Sequence, residues 1–117
     1  MLKIDGEDLV YKLSALEMLG AFHKSPKSKV ANIQEFKVIN KPWVREVLRG
    51  IRAPGTGFPY LIMLGTMRYR KGKDFCVIYK RRPVIVIEFA NEEFNRWVVP
   101  ATEPNQKILE TLRSWQI

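Results

Sequence analysis

Residues 61–89 read LIMLGTMRYRKGKDFCVIYKRRPVIVIEF, and how this stretch divides decides the fold. It holds three apolar-rich runs, Leu61 to Arg70, Asp74 to Lys80 and Val84 to Phe89, separated by Lys71-Gly72-Lys73 and Arg81-Arg82-Pro83. Runs of this length and composition, bounded by Gly and Pro, read as strands. Connections of three residues make hairpins the natural solution, so an antiparallel meander is expected. In Leu61-Ile62-Met63-Leu64 and Val84-Ile85-Val86-Ile87 both alternating faces are hydrophobic, whereas a half-exposed strand alternates with polar residues. Something must therefore cover the outer face: the Trp43 to Leu48 segment, the Gly-Pro loop, a terminal helix or a second copy of the chain.

Working outward, Ile33 to Ile39 and Leu9 to Leu13 carry the same period of two and are read as strands. Ser14-Ala15-Leu16-Glu17 fits a capping box and opens a short helical turn ending near Gly20. Ala21 to Lys29 is polar, interrupted by Pro26, and reads as a loop. Asn40-Lys41-Pro42 resembles a helix start, which predicts a short helix near Pro42–Leu48 with Gly50 as its left-handed stop. The two prolines and two glycines of Arg52 to Pro59 predict a loop. On the other side, Asn91-Glu92-Glu93 is a turn and Arg96 to Val99 a strand. Thr102 caps a terminal helix whose stripe is Ile108, Leu109, Leu112 and Trp115. The expected core is Leu13, Phe36, Leu64, Val77, Ile87, Val98, Leu109 and Leu112. The fold class is mainly β (α+β): a bent antiparallel sheet or partial barrel, plugged at one end by the C-terminal helix.

At 117 residues, with 46% hydrophobic and 27% charged residues, the chain suits one globular domain spanning 1–117. A single cysteine, Cys76, forms no internal disulfide, and with one histidine, His23, it builds no structural zinc site. Neither a metal nor a cofactor is expected. The first residues lack the apolar core of a signal peptide and the longest apolar runs are too short to span a bilayer, so a cytoplasmic location is expected.

Catalysis finds little to work with. Nucleophilic chemistry needs a base within reach of a nucleophile, and His23 sits beside Lys24 in a polar stretch. Cys76 lies among Phe75, Val77 and Ile78, where a thiol behaves as a small hydrophobe. Glu92-Glu93 on a turn, and Asp5, Glu7 and Asp8 on a frayed terminus, read as solvated charge. Gly55-x-Gly57 lacks the Lys-Ser/Thr of a phosphate-cradling loop. No catalytic residue is assigned.

Charge is regional. Lys24 through Arg82 carries 15 basic and 3 acidic residues, while the rest carries 5 and 9, giving +8 for the chain. The basic tips Lys71/Lys73 and Arg81/Arg82 should point to opposite ends of the fold, which breaks up any continuous stripe for a polyanion. The candidate ligand-binding surface is the Lys24-Lys27-Lys29 loop together with Arg49 and Arg52.

Trp43, Arg52-Ala53-Pro54-Gly55-Thr56-Gly57, Leu64-Gly65-Thr66, Lys73-Asp74-Phe75 and Arg82-Pro83-Val84-Ile85-Val86 make the chain, from Leu9 to Leu112, resemble small bacterial pleckstrin homology-like (PH-like) domain proteins. That resemblance implies a PH-like bent sheet and no assigned activity; related modules take lipid, peptide and protein ligands, so the fold alone names no ligand. The expected function is a non-enzymatic binding or scaffolding module with a protein partner or self-association. The alternative is an anionic-surface module, for membrane head groups or, with less support, nucleic acid.

Overall fold

The computed structural model describes residues 1–21, 23–44 and 46–115, with backbone alone for 51–54. In chain order the elements are β1 (Leu2–Asp5), β2 (Asp8–Tyr11), α1 (Ala15–Ala21), β3 (Lys27–Lys29), β4 (Ile33–Ile39), β5 (Ile51–Phe58), β6 (Ile62–Tyr69), β7 (Gly72–Tyr79), β8 (Val84–Phe89), β9 (Arg96–Pro100) and α2 (Glu103–Trp115). They form a three-stranded sheet, β1-β2-β3, and a bent, open six-stranded sheet, β4-β8-β9-β7-β6-β5. The fold is mainly β with a C-terminal helix and one short helix, as the sequence leads one to expect.

Both faces of the large sheet are buried, which accounts for the doubly apolar strands. Leu64, Phe75, Val77, Ile85, Ile87, Trp97 and Val99 face one way, against Leu2 of β1, Leu9 of β2, Leu13 after it, Ala21 of α1 and Leu109 and Leu112 of α2. Met63, Met67, Cys76, Ile78, Val84, Val86 and Val98 face the other way, under Val47 with Trp43, Val44 and Leu48. The outer face is thus covered by Trp43, Val44, Val47 and Leu48 of the same chain. Seven of the eight expected core residues are buried; Phe36 is half-buried, packed against the first cluster. The Trp97 indole N–H is buried without a hydrogen-bond partner among the described residues, at a cost on the order of 1–3 kcal/mol.

The capping box forms as expected: Ser14 N donates to Glu17 Oε1 at 2.9 Å and Glu17 N to Ser14 Oγ at 3.1 Å. At the other helix Thr102 Oγ1 accepts from Asn105 N at 3.4 Å.

Several expectations are corrected. The meander stops after β6 and β7: β9 lies between β7 and β8, parallel to β7 and antiparallel to β8. The Lys80–Pro83 connection therefore arches over the end of β9 instead of closing a hairpin, with Ala101 N donating to Pro83 O at 3.0 Å. The N-terminus is not frayed. Leu2–Asp5 pairs with Asp8–Tyr11, and Leu2 N is tied to Asn105 Oδ1 of α2 at 2.8 Å. Part of the expected 21–29 loop is β3, paired with β2.

Pro42–Leu48 is a set of turns, not a regular helix: Val47 N and Leu48 N both donate to Val44 O. The carbonyls of Glu46 and Val47 instead accept from the Arg96 guanidinium, which holds them toward the sheet.

Ile51–Phe58 is a strand where a loop was expected. Its one proline, Pro54, and its glycines fit because β5 is an edge strand, and the pairing with β6 shifts register between Arg52 and Gly55. Gly55 lies at φ 150°, and a Cβ there would come within 2.2 Å of Leu64 O, so only glycine closes that pairing.

Candidate functional site

Of the residues singled out from sequence, Arg49 stands apart from the three lysines. Arg49 belongs to a buried charge cluster on the covered face. Asp74 of β7, 0% exposed, accepts five hydrogen bonds. Arg49 supplies two, at 3.0 and 2.9 Å; Arg96 two, at 3.0 and 2.8 Å; and Tyr69 Oη one, at 2.7 Å. Burial works against the charged Arg49, but hydrogen bonding and charge from Asp74 outweigh it and raise the guanidinium's pKa. Burial, followed by the bond to Asp74, raises that of Tyr69. With its carboxylate saturated, Asp74 has no lone pair left for a substrate proton. The cluster is an anchor: through the Glu46 and Val47 carbonyls at 2.8 and 2.7 Å, Arg96 binds the covering segment to the sheet.

Lys24, Lys27 and Lys29 are exposed, at the end of the sheet where β7 begins and the 90–95 turn lies, and carboxylates meet that region's polar groups. Lys27 Nζ lies 3.9 Å from Asp8, Lys29 N donates to Glu92 Oε2 at 3.3 Å, and neighbouring Lys73 pairs with Glu93 at 3.3 Å. Glu92, read as merely solvated, also accepts from the Asn32 amide. His23 lies in the same place, its Nδ1 donating to Lys24 O at 2.5 Å and its ring 5.4 and 5.2 Å from Phe75 and Phe94. This histidine is built into packing. The Arg52 side chain lies outside the described residues.

The opposite end of β7, roughly 23 Å away at about 3.3 Å per residue, is different. Lys80, Arg81 and Arg82 of the arch, with Lys41 beside them, make no ion pair among the described residues. Next to them the β5–β6 turn projects Phe58, Tyr60 and Leu61, which are 59%, 53% and 62% exposed. Tyr60 is in the left-handed region at φ 65°, which costs energy in a residue with a side chain. Its ring is held by Arg81, 4.5 Å above its centre, and by Trp43 at 5.9 Å. Trp43 Nε1 donates to Lys80 O at 2.6 Å, and Lys80 N to Leu61 O at 2.8 Å, so turn and arch form one unit. Lys41, Pro42, Trp43, Val44, Tyr60 and Arg81 enclose a hollow of about 330 Å³.

Across the arch lies a larger cleft of about 680 Å³, between the β1–β2 hairpin, the first turn of α1 and the start of α2. Tyr11, Glu17, Tyr79, Arg82, Val84, Pro100, Ala101 and Thr102 are among its walls. Tyr79 Oη donates to Glu17 Oε2 at 2.5 Å, joining α1 to β7. Burial, reinforced by the Glu17 charge for both and by the hydrogen bond for Tyr79, pushes the Tyr11 and Tyr79 phenols well above their usual range, so both stay neutral.

Sequence reasoning missed this end for a reason. It weighed cations by their number along the chain, whereas the acids near the lysine loop come from segments distant in sequence: Asp8 lies 3.9 Å from Lys27, Glu92 accepts from the Lys29 backbone, and Glu93 pairs with neighbouring Lys73. The available signal was the pairing of Lys80-Arg81-Arg82 with an aromatic turn, Phe58-Pro59-Tyr60. Among the described residues no group of His, Cys, Asp and Glu is arranged to hold a metal, and no helix is long and apolar enough to cross a membrane. Comparison of the chain with protein-family models, with characterised proteins and with solved structures finds no match.

Proposed function

We propose that this chain is a non-enzymatic binding module that docks on an anionic lipid surface through the end of the sheet formed by the β5–β6 turn and the β7–β8 arch. The observation that carries this reading is one set of cations, Lys41, Lys80, Arg81 and Arg82, without an ion pair among the described residues, at the same end as the exposed apolar residues Phe58, Tyr60 and Leu61. Each cation near a negatively charged leaflet contributes about 1 kcal/mol, and apolar side chains sinking into the interface supply a second signal. Tyrosine and tryptophan suit that boundary, being apolar in the ring and polar at the tip. Leu16, 80% exposed on the first turn of α1, stands beside Glu17, which bonds the same end of β7.

A lipid surface is favoured over nucleic acid because Leu61 and Leu16 offer aliphatic surface with no base to stack on. One face of the Tyr60 ring is already taken by Arg81. Self-association has less support, since Trp43, Val44, Val47 and Leu48 cover the face that would otherwise call for a second copy. The PH-like relationship and the cytoplasmic location belong to the same proposal, the first supported by the residue pattern and the second by the lone buried Cys76.

Co-sedimentation with vesicles of phosphatidylglycerol and phosphatidylcholine tests it. Binding should rise with the anionic fraction, weaken with salt, and fall strongly in Tyr60→Ser/Leu61→Ser. Equal binding to neutral vesicles, or tight binding to single-stranded DNA with none to vesicles, contradicts it.

A further inference from the structure

The 680 Å³ cleft on the other side of the arch is within the size range of small-molecule sites and is mostly apolar, with a few polar groups. Those polar groups divide by what they still offer. The acceptors are committed inside the protein: Glu17 Oε1 to Ser14 N, Glu17 Oε2 to Tyr79 Oη, and Asn105 Oδ1 to Leu2 N. The Asn105 amide also donates to Pro100 O at 2.8 Å.

The donors are not committed. Arg82 has no ion pair or hydrogen bond among the described residues. The Thr102 oxygen accepts from Asn105 N, but its hydroxyl proton goes to no acceptor among the described residues. Tyr11 is only 4% exposed, yet its hydroxyl, in the wall of the cleft, bonds to no described residue. The phenol is packed along its ring and presents its hydroxyl to the cleft, where it is a donor ready for a ligand.

We infer that this cleft binds a small apolar carboxylate, whose oxygens accept from the free donors Arg82, Tyr11 and Thr102 while its hydrocarbon body lies against Val84, Pro100 and Ala101. The spare donors of Arg82, Tyr11 and Thr102 select an acceptor-rich, negatively charged group, while each Glu17 oxygen already holds a donor from the protein. The apolar wall selects against small hydrophilic anions.

Isothermal titration of the full chain with n-decanoate, n-decanol and n-decylammonium, each below its micellar range, tests the inference. Decanoate should saturate one site per chain and bind more tightly than decanol. Arg82→Gln should weaken it about tenfold, and Tyr11→Phe should weaken it with the far-ultraviolet circular dichroism unchanged. Absence of saturable decanoate binding, equal affinity for decanol, tighter binding of decylammonium, or an Arg82→Gln variant of unchanged affinity each overturns it. The double variant Lys80→Glu/Arg81→Glu, which spares the residues of the cleft, should keep decanoate binding while losing vesicles, so the two readings fail separately.

Discussion

At the scale of single residues, Asp74 is the side chain on which most depends. Five hydrogen bonds from three partners converge on a fully buried carboxylate, so Asp74→Asn leaves Arg96, itself buried, without its counter-charge. The expected loss is about 3–5 kcal/mol, read from the midpoint of urea unfolding. A loss below 1 kcal/mol would mean that the cluster is not the anchor of the 43–48 segment. Cys76 gives a second prediction. Burial raises its thiol pKa, so the native protein should resist a disulfide reagent such as dithionitrobenzoate at neutral pH and react once urea unfolds it. Rapid native-state labelling would contradict the placement of β7 in the sheet's interior. The phenols give a third. Because Tyr11 and Tyr79 are raised in the folded state, their contribution is intact below about pH 10, where unfolded tyrosines stay protonated. Above that, the unfolded chain ionises first and stability falls. The melting temperature should therefore drop between about pH 10 and 11.5, less steeply in Tyr79→Phe than in the wild type.

At the scale of elements, sheet order predicts protection. β8, β9 and β7 have neighbours on both sides and are covered on both faces, whereas β4 and β5 are edges. Amide hydrogen exchange should be slowest at Val77, Val86 and Val98 and faster along Thr56 to Phe58; the reverse ranking would contradict the insertion of β9 between β7 and β8. That insertion is also the part the sequence did not reveal. Ile33–Ile39 and Val84–Phe89 were readable because β-branched and aromatic residues at strand period leave one interpretation. The terminal helix was readable from its stripe and cap, and the capping box from two residues. Ile51–Phe58 was not, because Pro54, Gly55 and Gly57 signal a loop unless the strand is known to lie on an edge. Nor was the parallel β7–β9 pair, since a short Lys80–Pro83 connection is compatible with both a hairpin and an arch over a third strand. The 43–48 segment was correctly among the candidates to cover the outer face but was given helical form; its actual shape depends on Arg96, some fifty residues away.

For the whole molecule, the distribution of charge matters more than its sum of +8. Cations occur at both ends of β7. At the Gly72 end, Asp8, Glu92 and Glu93 approach the lysines or their backbone; at the Tyr79 end, Lys41, Lys80, Arg81 and Arg82 make no ion pair among the described residues and stand beside an apolar turn. The expectation that the charge would split between two ends holds, and the proposal places the leading surface at the Tyr79 end instead of at the Lys24-Lys27-Lys29 loop.

The most direct measurement compares two charge reversals in one vesicle assay at low salt: Lys80→Glu/Arg81→Glu/Arg82→Glu against Lys24→Glu/Lys27→Glu/Lys29→Glu. The account predicts that the first abolishes co-sedimentation with anionic vesicles and the second leaves most of it. Retained binding in the first variant, with loss in the second, would contradict it and return the binding surface to the lysine loop.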